Sequence, residues 1–134
     1  MVLYANGSEV STLKAKVGGL SRVMDDADES VSYVGVGFQP TAMWFWCVEN
    51  VQEYWSVGWS DAGATGGSNV CSYHNYEADT MTYNKGNRHT LSLRTGTGSL
   101  YGQIMSFDVD GFTVQWSMSG SETGTAQVGW LAIG

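Results

Sequence analysis

Cys71 and His74 stand three residues apart, a spacing that two metal ligands can share. A tetrahedral zinc site needs more donors. Only Cys47 and His89 remain as further residues of these types, and neither falls into a regular ligand pattern. No metal is expected on this reading. Asp108-Val109-Asp110-Gly111 matches the opening of a calcium loop, but the rest of that loop, its terminal glutamate included, is missing. The same residues read better as a hairpin, with aspartate in the turn and Gly111 supplying a positive φ. Glu49 and Glu53 could pose as the carboxylate pair of a glycoside hydrolase. They flank a polar connection between two apolar runs, and nothing beside them would raise the pKa of either. Gly96-Thr97-Gly98-Ser99-Leu100-Tyr101-Gly102 resembles a dinucleotide loop with the wrong final spacing and no helix to follow. Neither a Gly-x-Ser-x-Gly elbow nor a His-Glu-x-x-His motif occurs. Asn6-Gly7-Ser8 fits an N-glycosylation acceptor, but no signal peptide is visible before it. The expectation is a protein that is not an enzyme and uses no cofactor.

Aromatic residues are the class that could carry function. Trp55, Trp59, Tyr73, Tyr76 and Tyr83 lie in or near Gly/Ser-rich stretches. Sugar faces stack on exposed rings, with Asn, Asp and Tyr side chains near to bind hydroxyl groups. The competing reading makes Trp44, Trp46, Trp116 and Trp130 core residues and packs the loop tyrosines locally or at a subunit interface. Core or interface is the favoured reading, with glycan binding second.

The elements that would position these rings follow from composition. Gly, Ser and Thr (18, 15 and 11 residues) make up a third of the 134 residues. Aromatic content is 13%, and charged residues are 14% against the roughly 25% usual for soluble domains. This excludes a coiled coil, a helical bundle and a disordered chain, and favours short strands joined by many turns. The formal charge of −7 leaves no basic stripe for nucleic acid or for an anionic membrane surface. No apolar run is long enough to span a bilayer. Two cysteines do not make a disulfide scaffold, so Cys47 and Cys71 are expected as free, buried thiols.

Residues 13–17 alternate, with Leu13, Ala15 and Val17 on one face, until Gly18-Gly19 breaks the run. Residues 24–30 form an acidic loop that must be solvated or paired with an outside cation. Residues 32–38 alternate, with Val34, Val36 and Phe38 together and two glycines opposite, permitting close backbone approach. Residues 42–48 are large and apolar on both faces, which predicts a central strand covered on both sides. Trp55, Val57 and Trp59 share a face. Residues 61–68 and 95–99 read as loops, and 69–83 alternates only weakly. Met105, Phe107 and Val109 share one face; Phe112, Val114, Trp116 and Met118 share another across the Asp110-Gly111 turn. Residues 119–125 form a polar loop before the last strand, 128–133. About nine short strands at this spacing predict an all-β fold, a single-domain antiparallel β-sandwich of jelly-roll-like form. Residues 1–12 read as an N-terminal arm or edge strand, and 13–134 as the sandwich domain.

Three stretches in order carry a resemblance: Tyr33-Val34-Gly35-Val36-Gly37-Phe38-Gln39-Pro40-Thr41-Ala42, Phe107-Asp108-Val109-Asp110-Gly111-Phe112-Thr113-Val114-Gln115-Trp116, and Val128-Gly129-Trp130-Leu131-Ala132-Ile133-Gly134. Together they resemble a group of small virion β-sandwich proteins of tailed bacteriophages, of head-decoration or fibre type. The resemblance runs over residues 14–134 and is carried by order and spacing, with only Gly/Ser-rich character shared in the middle. It implies a capsid decoration protein that docks on the assembled head and stabilises it, with the major capsid protein and copies of itself, as a homotrimer, for partners. The alternative is a glycan-binding module of a head or tail fibre that contacts a host surface glycan. Either way the chain would be made in the host bacterial cytoplasm and reside on the virion surface. Candidate partner or glycan contacts are Tyr4 in the arm, Asp25, Asp26, Asp28 and Glu29 in the acidic loop, and Trp55, Trp59, Tyr73 and Tyr76.

Overall fold

The computed structural model describes residues 3–5, 8–10, 12–49, 54–61, 69–75, 80–84, 89–95, 97–121 and 123–134. Every regular element among them is a strand: β1 (Leu3–Ala5), β2 (Ser8–Val10), β3 (Ala15–Val23), β4 (Glu29–Val34), β5 (Ala42–Glu49), β6 (Trp55–Ser60), β7 (Asn69–Asn75), β8 (Thr80–Asn84), β9 (Leu91–Arg94), β10 (Gly98–Asp108), β11 (Gly111–Gly120) and β12 (Thr125–Ile133). The fold is an all-β, antiparallel β-sandwich, as expected, with twelve strands among the described residues rather than nine. β1 and β2 pair only with each other. The remaining strands follow the order β3-β12-β5-β6-β7-β9-β10-β11-β4, with β8 on β7.

This ladder folds over at β7 and β9, which share a single parallel pair, Asn75 with Arg94. A six-stranded layer (β3, β12, β5, β6, β7, β8) therefore faces a four-stranded one (β9, β10, β11, β4). Phe112 of β11 is the contact between them. Its ring meets Phe45 of β5 edge-on at 5.6 Å and Trp130 of β12 at 5.7 Å. Met43, Cys47, Leu93, Ile104, Val114 and Trp116 fill the space around it. Each such side chain contributes about 1.5–3 kcal/mol through burial. At the fold line a Cβ on Gly58 would lie 1.8 Å from the Thr90 carbonyl oxygen, so only glycine lets the layers approach there. Thr90 Oγ1 donates to Asn69 Oδ1 at 2.6 Å, and Asn69 Nδ2 donates to the Ile104 carbonyl at 3.4 Å. These buried polar groups satisfy one another, which offsets the cost of taking them out of water.

Several local expectations change. Gly18-Gly19 does not end a strand but lies within β3, where Gly18 faces Trp130 and makes room for its ring. β4 turns Tyr33 inward and leaves Val34 80% exposed, the reverse of the expected face. The reason is that the strand stops at Val34, and Gly35 and Gly37 take positive φ in a turn rather than lying close to another backbone. Met105 and Val109 point outward, because a bulge between Ile104 and Ser106 shifts the register and Val109 sits in the turn. Gly111 is not a positive-φ residue; it opens β11, where a Cβ would meet the Tyr33 carbonyl oxygen at 1.9 Å. The turn residue that acts is Asp110. Its carboxylate accepts the Gly35 N–H at 3.2 Å and the Gly37 N–H, and its carbonyl accepts the Val36 N–H at 3.0 Å. The first two stretches of the resemblance thus meet at one joint. Finally, residues 42–48 are covered on one side only, as described next.

Candidate docking face

Along β5, Met43, Phe45, Cys47 and Glu49 point into the sandwich, and Trp44, Trp46 and Val48 point out. β6 is the mirror case: its small residues Ser56, Gly58 and Ser60 are buried, and Trp55, Val57 and Trp59 face outward. Cross-strand register assembles these residues into rows. Val17, Leu131, Trp44, Trp59 and Val70 make one row, and Gly19, Gly129, Trp46, Val57 and Ser72 the next. Ser21, Gln127, Val48 and Trp55 make a third. No Asp, Glu, Lys or Arg stands in these three rows. Trp44 is 44% exposed and Trp46 45% exposed, which overturns their expected place in the core. Trp116 and Trp130 are buried as expected.

The face is shaped by glycine. The Trp46 indole lies across Gly129, where a Cβ would be 2.0 Å from the ring. Gly19 and Gly129 leave a depression of about 430 Å³, walled by Trp46 and Val48 and rimmed by Ser21 and Gln127. On the other flank a depression of about 250 Å³ lies among Trp44, Val57, Trp59, Val70 and Ser72. Backbone pairing on both sides of β5 and β6 fixes the strands that carry these rings.

The remaining candidates are scattered. Trp55 and Trp59 belong to the face. Tyr73 does not: it points inward, only 7% exposed, with its hydroxyl accepting from Arg94 Nη1 at 3.3 Å. Tyr4 lies in β1, opposite Glu9. Tyr76 lies outside the described residues. The acidic loop is tied down from within. The guanidinium of buried Arg22 reaches Glu29 and, at 3.6 Å, Asp26; it also donates to the Ala27 carbonyl at 2.7 Å and lies over the Trp116 ring. Asp28 Oδ1 accepts the Met118 N–H at 2.8 Å. An inside cation thus meets the need that the sequence assigned to an outside one, and Asp25 is the acid of this loop with no such tie among the described residues. Both cysteines are free and buried. Burial pushes the Cys47 thiol up to about 12 and the Cys71 thiol up to about 11, so neither supplies a ready thiolate. Among the described residues no three His, Cys, Asp or Glu gather as metal ligands. Among the described residues no helix is long and apolar enough to cross a membrane.

Sequence reading named Trp55 and Trp59 but missed Trp44 and Trp46. The alternation in β6 gave no warning, because by itself it turns Trp55, Val57 and Trp59 inward and the small residues out. Comparison with models of known protein families, with curated proteins and with solved structures finds no match to this chain.

Proposed function

We propose that this chain is a non-catalytic structural protein of a tailed-bacteriophage virion, in the role of a capsid decoration protein. It docks on the assembled head, among major capsid protein subunits and other copies of itself, and stabilises the shell. The observation that carries this reading is the outer face of the six-stranded layer. Trp44, Trp46, Trp55 and Trp59 surround Val57 there, with no charged residue in the three rows. Aromatic rings without charge are the composition of an interface core, not of a free surface. The order of the three resembling stretches supplies the virion context, and the Asp110 joint explains why two of them occur together. Particles assembled without this chain should lose their heads at lower temperature than complete particles, and adding the purified chain back should restore them. Equal heat and osmotic resistance with and without it overturns the decoration role.

A glycan-binding reading is supported by a second observation. The Trp46 indole lies over Gly129 and is 45% exposed, in a depression also lined by Ser21 and Gln127. An indole platform with hydrogen-bonding groups at its rim suits a pyranose ring. Binding in a screen of host polysaccharides, lost in Trp46→Ala and Gln127→Ala, would place this reading first. Silence across the screen removes it.

A further inference from the structure

We infer that the outer face of the six-stranded layer packs against the same face of a second copy of this chain, about a two-fold axis. The inference rests on the reading of that face as an assembly surface and names its occupant.

Size is the first argument. Val17, Trp44, Trp46, Val48, Trp55 and Val57 are each more than a third exposed on this one face. With about 150–250 Å² for a full tryptophan and less for valine, these residues present on the order of 500 Å² of apolar surface. A stable pair buries about 800 Å² on each partner, about 65% of it apolar, so this area matches the apolar share of one such interface. Charge is the second. Two copies carrying −7 each repel, so they can close only through a face that brings no carboxylates together. The three rows of the aromatic face meet this condition.

Shape is the third argument. An isologous contact must be complementary to itself. The Trp46 indole stands over Gly129 of β12, and the depression of about 430 Å³ runs beside it past Val48 and Gly19. A two-fold axis beside Trp46 sets the indole of each copy into the depression of the other. Sheets stack in this way face to face, about 10 Å apart.

Sedimentation velocity and light scattering on the purified full chain, from low micromolar to millimolar, test this. The wild-type chain should sediment as a dimer. Val57→Lys and Trp46→Ser should each weaken the dimer about tenfold or more, with circular dichroism unchanged. Val34→Lys, on the four-stranded layer, should leave the dimer intact. A wild-type chain that stays monomeric throughout, or a dimer that survives both face variants, overturns the inference. If the chain is monomeric and the face variants still lose binding to particles, the second copy is the wrong occupant and the assembly surface stands. If the chain is monomeric and particle binding is also untouched, both readings fall.

Discussion

The two faces of the six-stranded layer use the same device and meet different fates. On the inside, Trp130 lies over Gly18, and across the sandwich Trp116 lies over Gly102. On the outside, Trp46 lies over Gly129. In all three pairs a glycine directly across the strand gives the indole a flat bed. Yet Trp116 is 1% exposed and Trp46 is 45% exposed. The pair fixes how the ring lies on its sheet. Whether water reaches the ring depends on what stands above it, and only one side of this sheet has a second layer.

Removing the rings should separate the two faces most sharply. Trp116→Ala leaves a cavity beside Phe112 and Arg22 and takes away the Nε1 bond to the Tyr33 hydroxyl at 3.0 Å. It should cost about 3–5 kcal/mol in urea unfolding, whereas Trp46→Ala should cost less than about 1 kcal/mol in the monomeric chain. Equal losses would mean that the outer face is part of the folding core.

The glycines give the next contrast. Gly58→Ala drives a Cβ into the Thr90 and Val70 carbonyl oxygens, and backbone cannot swing aside. It should cost about 1–3 kcal/mol or more. At Gly129 the atoms nearest the added Cβ all belong to the Trp46 ring, which can move into solvent. Gly129→Ala should therefore cost less than about 1 kcal/mol, and the emission of Trp46 should report a more solvated ring.

Alkaline pH probes the sandwich interior, where burial raises Tyr33 as well as the two thiols. Burial raises Cys47 to about 12 and Cys71 to about 11 in the folded chain, above the unfolded thiol near about 8.5. A raised folded-state pKa gives a contribution that is complete below the unfolded value and lost as pH climbs through the folded one. Stability should be insensitive to these thiols below pH ~8 and fall progressively from pH ~9 through 11–12. Cys47→Ala should flatten that fall, and a thiol reagent should label both cysteines only after unfolding. Rapid labelling of the native chain would contradict the burial of this face. The smallest effect belongs to Val57→Lys. At concentrations where the chain is monomeric, its unfolding free energy should stay within about 0.5 kcal/mol of wild type.

Much of the fold was legible because the physics behind it is local. The alternation of Phe112, Val114 and Trp116 marks a half-covered strand, and Val128-Gly129-Trp130 marks another. Low charge with many Gly, Ser and Thr residues selects strands and turns over helices. The errors arose where a distant partner decided the outcome. Asp110 was legible as a turn residue, but its grip on the Gly35 and Gly37 N–H groups spans some seventy-five residues of chain. Arg22 gave no sign that it would be buried under its own acidic loop. The candidate site was half legible: Trp55 and Trp59 were named, Trp44 and Trp46 were placed in the core, and Tyr73 was placed outside.

Which side chains share a face follows from the two-residue period of a strand, and on that point residues 42–60 could be read directly. Trp44 and Trp46 go together, as do Met43, Phe45 and Cys47, whatever the tertiary structure. Which of the two sets is covered does not follow, because both are apolar and a strand has no local preference between its sides. That choice was made by the fold-over at β7 and β9, where Gly58 admits the Thr90 backbone and brings β11 down onto Phe45. The four-stranded layer can cover only one side of its partner. The aromatic face is what remained on the other.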